Sequence, residues 1–117
     1  MRVIVCGSRH YGNREHVFAT LRTVLADHPD VTIIQGGALG VDAIAKSFAE
    51  EYEIPCEQYD AQWGIYGKAA GPIRNRRMLE EGNADYVIAF MTGAGPGTKN
   101  MVRQAIEHGT NILQVHD

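Results

Sequence analysis

Apolar residues follow two rhythms along this chain. Val3-Ile4-Val5-Cys6 is a continuous apolar run closed by Gly7, the pattern of a strand buried on both faces. From Asn13 to about Asp27, Val17, Phe18, Leu21, Val24 and Leu25 recur at helical spacing. Val31-Thr32-Ile33-Ile34 predicts a second buried strand, stopped by Gly36-Gly37, and Val41, Ile44, Ala45, Phe48 and Tyr52 mark a second amphipathic helix. Cys56 to Tyr59 predicts a third strand. Pro72 suits the first turn of a third helix running to Gly82, a residue type able to follow a helix C-terminus. Tyr86 to Phe90 predicts the fourth strand and Ile112 to Val115 the fifth. Between them Thr98 is placed to N-cap a helix that turns Met101, Val102, Ala105 and Ile106 inward and ends at Gly109.

Strands alternating with helices across short connections predict a parallel sheet covered on both faces. Right-handed crossovers leave few topologies. The expectation is an α/β fold, one Rossmann-like domain over residues 1–117, with five parallel strands in the order 3-2-1-4-5. Residues 60–71 show neither rhythm, and an irregular stretch of that length inside a small domain is usually functional.

Composition adds limits. With 44% apolar and 21% charged residues the chain is ordinary for a globular protein. No apolar run approaches the roughly 20 residues of a membrane span, and Met1-Arg2 passes directly into the first strand without a leader pattern. A cytoplasmic address, with no membrane partner, is expected. Cys6 and Cys56 form no CxxC pair and are expected to be buried, reduced thiols. The five histidines are scattered without metal-ligand spacing, so neither a metal site nor a cofactor is expected. Net charge is −3, which argues against a broad basic face for a long polynucleotide. Yet Lys68, Arg74, Arg76 and Arg77 fall within ten residues, a density that suits a small anion.

The unusual residues sit where the strands end. Strand 1 ends in Gly7-Ser8-Arg9, strand 2 in Gly36-Gly37-Ala38-Leu39-Gly40-Val41-Asp42, and strand 4 in Thr92-Gly93-Ala94-Gly95-Pro96-Gly97-Thr98. In an open parallel sheet the ligand lies outside the carboxyl ends of the strands, at the switch point, here between strands 1 and 4. Glycine lets backbone N–H groups approach a phosphate closely, and a helix N-terminus adds partial positive charge. No loop carries a standard nucleotide fingerprint: Gly7-Ser8-Arg9-His10-Tyr11-Gly12 lacks the second glycine of GxGxxG. Asp42 either binds a ribose hydroxyl or caps its own helix and braces the Gly36-Gly37 turn. The arginines of the third helix oppose its macrodipole, which points to bidentate phosphate recognition or to a solvated charge run paired with Glu80 and Glu81. Trp63 and Tyr66 either stack on a base or anchor their loop in the core. The expected ligand contacts are Gly7, Ser8, Arg9, Gly36, Gly37, Ala38, Asp42, Trp63, Lys68, Arg74, Asn75, Arg76, Gly95, Gly97 and Thr98.

Gly7-Ser8-Arg9, Gly36-Gly37-Ala38-x-Gly40-x-Asp42, Trp63, Gly67-Lys68-Ala69-Ala70-Gly71-Pro72-Ile73-Arg74-Asn75-x-x-Met78 and Gly97-Thr98 together resemble the small YspA-like, cpYpsA-related branch of the SLOG superfamily. The resemblance covers nearly the whole chain. It implies a Rossmann-like fold and binding of nucleotides or nucleotide-derived signals, often in phage and bacterial conflict. The second loop and Arg74-Asn75-Arg76 also resemble motifs of the single-strand DNA-binding protein DprA/Smf. Gly95-Pro96-Gly97-Thr98 is similar to the glycine motif of LOG phosphoribohydrolases, whose catalytic arginine falls at about Arg76. Their catalytic glutamate corresponds to Met101, which removes the carboxylate that such hydrolysis uses.

Three functions follow as expectations: a nucleotide-binding sensor or ligand-binding module, a nucleotide N-glycosidic hydrolase using Arg76 with a displaced carboxylate (Asp42, Asp60 or Glu80), or a single-stranded nucleic-acid binder. Acidic net charge and Met101 favour the first. The resemblance also implies a homo-oligomer.

Overall fold

A computed structural model describes residues 1–117. Strands β1 (Arg2–Gly7), β2 (Thr32–Gln35), β3 (Cys56–Gln58), β4 (Tyr86–Phe90) and β5 (Asn111–Val115) form one parallel sheet in the order β3-β2-β1-β4-β5. Val3 pairs with Ile33 on one side and Tyr86 on the other, so β1 is central. Helices α1 (Arg14–Leu25) and α2 (Val41–Glu51) cover one face, and α4 (Ala70–Glu80) and α5 (Pro96–His108) the other.

Strand alternation explains the two layers. Val3 and Val5 point into a cluster with Phe18, Leu21, Val41 and Phe48, while Ile4 and Cys6 point into one with Met78, Leu79, Met101 and Ala105. Because both faces are covered, β1 reads as a continuous apolar run. Asn13 N-caps α1, its side chain accepting from the His16 amide at 3.1 Å. No helix is long and apolar enough to cross a membrane.

Local expectations shift in four places. Residues 60–71 are not wholly irregular: α3 (Trp63–Tyr66) and a 3-10 turn (Gly67–Ala69) occupy most of the segment. No residue of α3 is buried, so it carries no apolar stripe for periodicity to register. Thr98 is not an N-cap, because Pro96 opens α5 two residues earlier, with Gly95 as cap. Ile106 points outward and is 64% exposed, since Met101 and Ala105 define the inward stripe of α5. Cys56 is exposed rather than buried, lying at the start of the edge strand β3, whereas Cys6 is buried and burial pushes its thiol pKa up.

Candidate functional site

All three glycine-rich loops lie at the carboxyl edge of the sheet, and with α3 and α4 they line one cavity of about 1240 Å³. It spans the gap between the β1 and β4 ends, where the strand order reverses.

The first two loops are locked together by their backbones. The Ser8 carbonyl accepts from the amides of Tyr11 at 3.2 Å and Val41 at 3.3 Å, so the first turn of α2 hangs from the β1 loop. A Cβ on Gly7 would lie 2.5 Å from Val41 Cγ2, so only glycine lets β1 and α2 approach this closely. Buried Asp42 accepts from the Ala38 amide through Oδ2 at 3.2 Å. Burial raises its pKa, and the Ala38 amide, Arg74 and the Gly36 amide pull it back. Of the two roles open to Asp42, its contacts are those of the brace.

Helix α4 holds the second and third loops through adjacent residues. Arg74 Nη1 donates to the Gly36 carbonyl at 2.6 Å, and its Nε donates to Asn75 Oδ1 at 3.0 Å. Buried Asn75 donates to the Gly97 carbonyl and to Asn100 Oδ1, each at 3.1 Å. Gln104 completes the network, donating to Asn100 Oδ1 at 2.7 Å and the Pro72 carbonyl at 3.0 Å.

The third loop is built differently. No side chain caps α5, and the amides of Gly97 and Thr98 donate to no protein acceptor. A Cβ on Gly95 or Gly97 would meet nothing within 4 Å, and neither residue has a positive φ. Nothing inside the protein therefore requires glycine at these two positions. Thr98 is buried at the cavity wall, and Met101 lies fully buried one turn further on.

Charge is sorted by the cavity. Arg9, Lys68, Arg74, Lys99 and Arg103 line it, against only the two carboxylates Asp42 and Asp60. With eleven Lys and Arg and fourteen Asp and Glu in the chain, six cations face twelve carboxylates elsewhere. An acidic protein thus encloses a cationic pocket.

Of the expected contacts, Gly7, Ser8, Arg9, Gly36, Gly37, Ala38, Asp42, Trp63, Lys68, Arg74, Asn75, Gly95, Gly97 and Thr98 line this cavity. Arg76 does not. It lies on the exposed side of α4, 4.0 Å from Glu80, and Arg77 pairs with Glu81 at 2.9 Å. The basic cluster of α4 is therefore split, with Arg74 inside and Arg76 and Arg77 outside. Trp63 is 61% exposed, which removes the core-anchor reading, and Tyr66 lies outside the cavity. Sequence reasoning missed Lys99 and Arg103, whose i, i+4 spacing puts them on one face of α5, and left Asp60 as one of several candidate carboxylates.

A parallel five-stranded sheet with glycine loops meeting at its switch point over a cationic cavity defines a Rossmann-like fold. Residues 1–66 match the model of the YspA, cpYpsA-related SLOG family, and the chain belongs to that family. It is 34% identical over 122 residues to the Gene 61 protein of Mycobacterium phage D29, covering 99% of this chain and 97% of that one. Among solved structures, it resembles the DNA processing protein A (DprA) of Streptococcus pneumoniae with a TM-score of 0.75 at 19% identity, over 97% of this chain. This chain spans only 49% of DprA, about half its length. It also resembles the protein TM1055 with a TM-score of 0.71 at 18% identity, over 95% of this chain and 71% of that one. At these identities the two structural likenesses are likenesses of fold.

Proposed function

We propose that this chain is a ligand-binding or sensor module for a nucleotide or nucleotide-derived, phosphate-bearing small molecule, held at the carboxyl edge of its sheet. The observation that carries this reading is the α5 N-terminus: two undonated amides and two glycines with no internal reason to be glycine, inside a cavity where cations outnumber carboxylates. A phosphate there receives the Gly97 and Thr98 amides, with the Ser8 and Thr98 hydroxyls and Lys99 in the same cavity. Exposed Trp63, in the same cavity, offers a flat face for a base.

Binding is favoured over hydrolysis. Met101 is fully buried where a phosphoribohydrolase of the LOG type carries its glutamate, Asp42 is engaged in the loop, and Glu80 lies outside with Arg76; Asp60 lines the cavity, but the arginine that reading pairs it with does not. The acidic remainder of the surface supports a small ligand over a polynucleotide. Exposed Ile65 and Tyr66 on α3 support a homo-oligomer that packs beside the cavity mouth.

The test is twofold. Small molecules released from the purified protein by denaturation are identified by mass spectrometry, and nucleoside mono-, di- and triphosphates are titrated by calorimetry. Saturable binding that Lys99→Ala and Arg103→Ala weaken supports the proposal. Absence of binding, or binding indifferent to both variants, overturns it. Release of free base on incubation would instead favour the hydrolase.

A further inference from the structure

Asp60 is the one cavity carboxylate that the loops do not use. It sits after β3, at the opposite end of the cavity from the α5 N-terminus. The strands β3 and β4 are three places apart in the sheet, roughly 14 Å at the usual interstrand spacing.

A directed chain of hydrogen bonds ends on it. The Gly37 amide, which can only donate, gives its proton to Gln35 Oε1 at 2.6 Å. That contact fixes which way the buried Gln35 amide faces, so its Nε2 donates to Gln58 Oε1 at 2.9 Å. Gln58 is fixed in turn, and its Nε2 donates to Asp60 Oδ1 at 2.8 Å. One backbone N–H thus sets the polarity of three side chains, and the last must accept. The relay passes close over Gly37, where a Cβ would displace the Asp60 and Gln58 ends.

Asp60 Oδ2 accepts nothing from the protein, and Asp60 forms no ion pair although five cations line the same cavity. Asp60 is exposed where it lines the cavity, so its open oxygen is free to take a donor that a ligand brings in place of water. It repels phosphate, so the group it meets lies away from the phosphate end. Trp63, three residues on, lines the same cavity and offers a flat ring. The part of a nucleotide between ring and phosphate that donates hydrogen bonds is the sugar.

We infer that Asp60, oriented by the Gln35–Gln58 relay, is a specificity-determining residue that accepts from the vicinal hydroxyls of a ribose and so selects ribonucleotides over forms lacking those hydroxyls. This rests on the nucleotide-binding reading above and assigns one end of the ligand within it.

The experiment titrates the native protein, Asp60→Asn and Asp60→Ala with the four ribonucleoside diphosphates, their 2′,3′-dideoxy counterparts and pyrophosphate. Asparagine keeps an oxygen for Gln58 to bond, and unchanged pyrophosphate affinity reports an intact fold and phosphate end. The native protein is expected to prefer a ribose form by about ten- to hundredfold, the worth of a hydrogen bond to a charged group. Both variants are expected to lose that preference while binding pyrophosphate as before. A preference that survives in both variants, or a loss that follows the base amino group rather than the sugar, overturns the inference and leaves nucleotide binding standing. If the native protein binds none of these probes, both readings fail together.

Discussion

Arg74 reaches from the second turn of α4 to the carbonyl oxygen of Gly36, 2.6 Å away, and that contact makes a residue of the basic cluster into a loop fastener. A Cβ on Gly36 would overlap the same guanidinium, so a side chain there would push Arg74 off this contact. Sequence reasoning expects Arg74→Ala to keep or raise stability, since a cation near a helix N-terminus opposes the macrodipole. The contact reverses that sign. Arg74→Ala is expected to lower stability by about 1.5–3 kcal/mol, the range for a lost charged hydrogen bond. In a chain of this size that is roughly 6–15 °C in Tm, readable by thermal unfolding. Arg74→Lys is expected to recover only part, because an ammonium lacks the fork that reaches Gly36 and Asn75 together.

Arg76→Ala is expected to be silent. Its pair with Glu80 is long and exposed, so stability changes by no more than about 0.5 kcal/mol and nucleotide affinity stays within error. Lys99→Ala and Arg103→Ala, which face the cavity, are expected to weaken binding and flatten its salt dependence. Calorimetry at two salt concentrations separates the pairs, and a strong effect of Arg76→Ala would return that residue to the site.

Burial holds the Asp42 pKa above its ordinary value of 3.8, so the folded chain binds this proton more readily than the unfolded chain. The associated stability is present below the ordinary value and lost as pH rises through the native one. Asp42→Asn removes the titration while leaving an oxygen for the Ala38 amide. Across that window the native protein is therefore expected to lose ground to Asp42→Asn as pH rises, with the difference flat above it. Urea denaturation of both proteins from about pH 3.5 to neutrality measures it. A difference that moves the other way would place the Asp42 carboxylate in a net favourable ion pair.

Trp63 is the chain's single tryptophan, so its emission reports the cavity directly. Nucleotide binding is expected to quench or blue-shift it, and inorganic phosphate to leave it nearly unchanged. Trp63→Ala is expected to weaken nucleotides by about 1–3 kcal/mol without affecting pyrophosphate. Equal responses to nucleotide and to phosphate would place the base elsewhere.

The sheet order was legible because buried parallel strands leave unbroken apolar runs, and Gly7, Gly36 and Gly93 close three of them. Facing on α4 was not, since its buried side includes Gly71 and Asn75 beside Met78 and Leu79, too mixed a stripe to orient a helical wheel. Periodicity therefore does not show that Arg76 lies on the outer side, beside Glu80. Lys99 and Arg103 were missed because only the fold shows which side of α5 borders the cavity. The Gln35–Gln58–Asp60 relay was out of reach for another reason: it joins residues on neighbouring strands, and their side-by-side placement follows from pairing register.

The segregation of charge also governs how a partner arrives. Seen from beyond a Debye length of about 8–10 Å, the molecule is a weak anion and attracts no phosphate. Only inside that radius does the field of the five cavity cations take over. A mononucleotide is small enough to enter that zone whole. A long polyanion would also meet the rest of the surface, where twelve carboxylates outnumber six cations. On the nucleotide-binding reading, this field favours short anions during the encounter itself, before any base or sugar has been read.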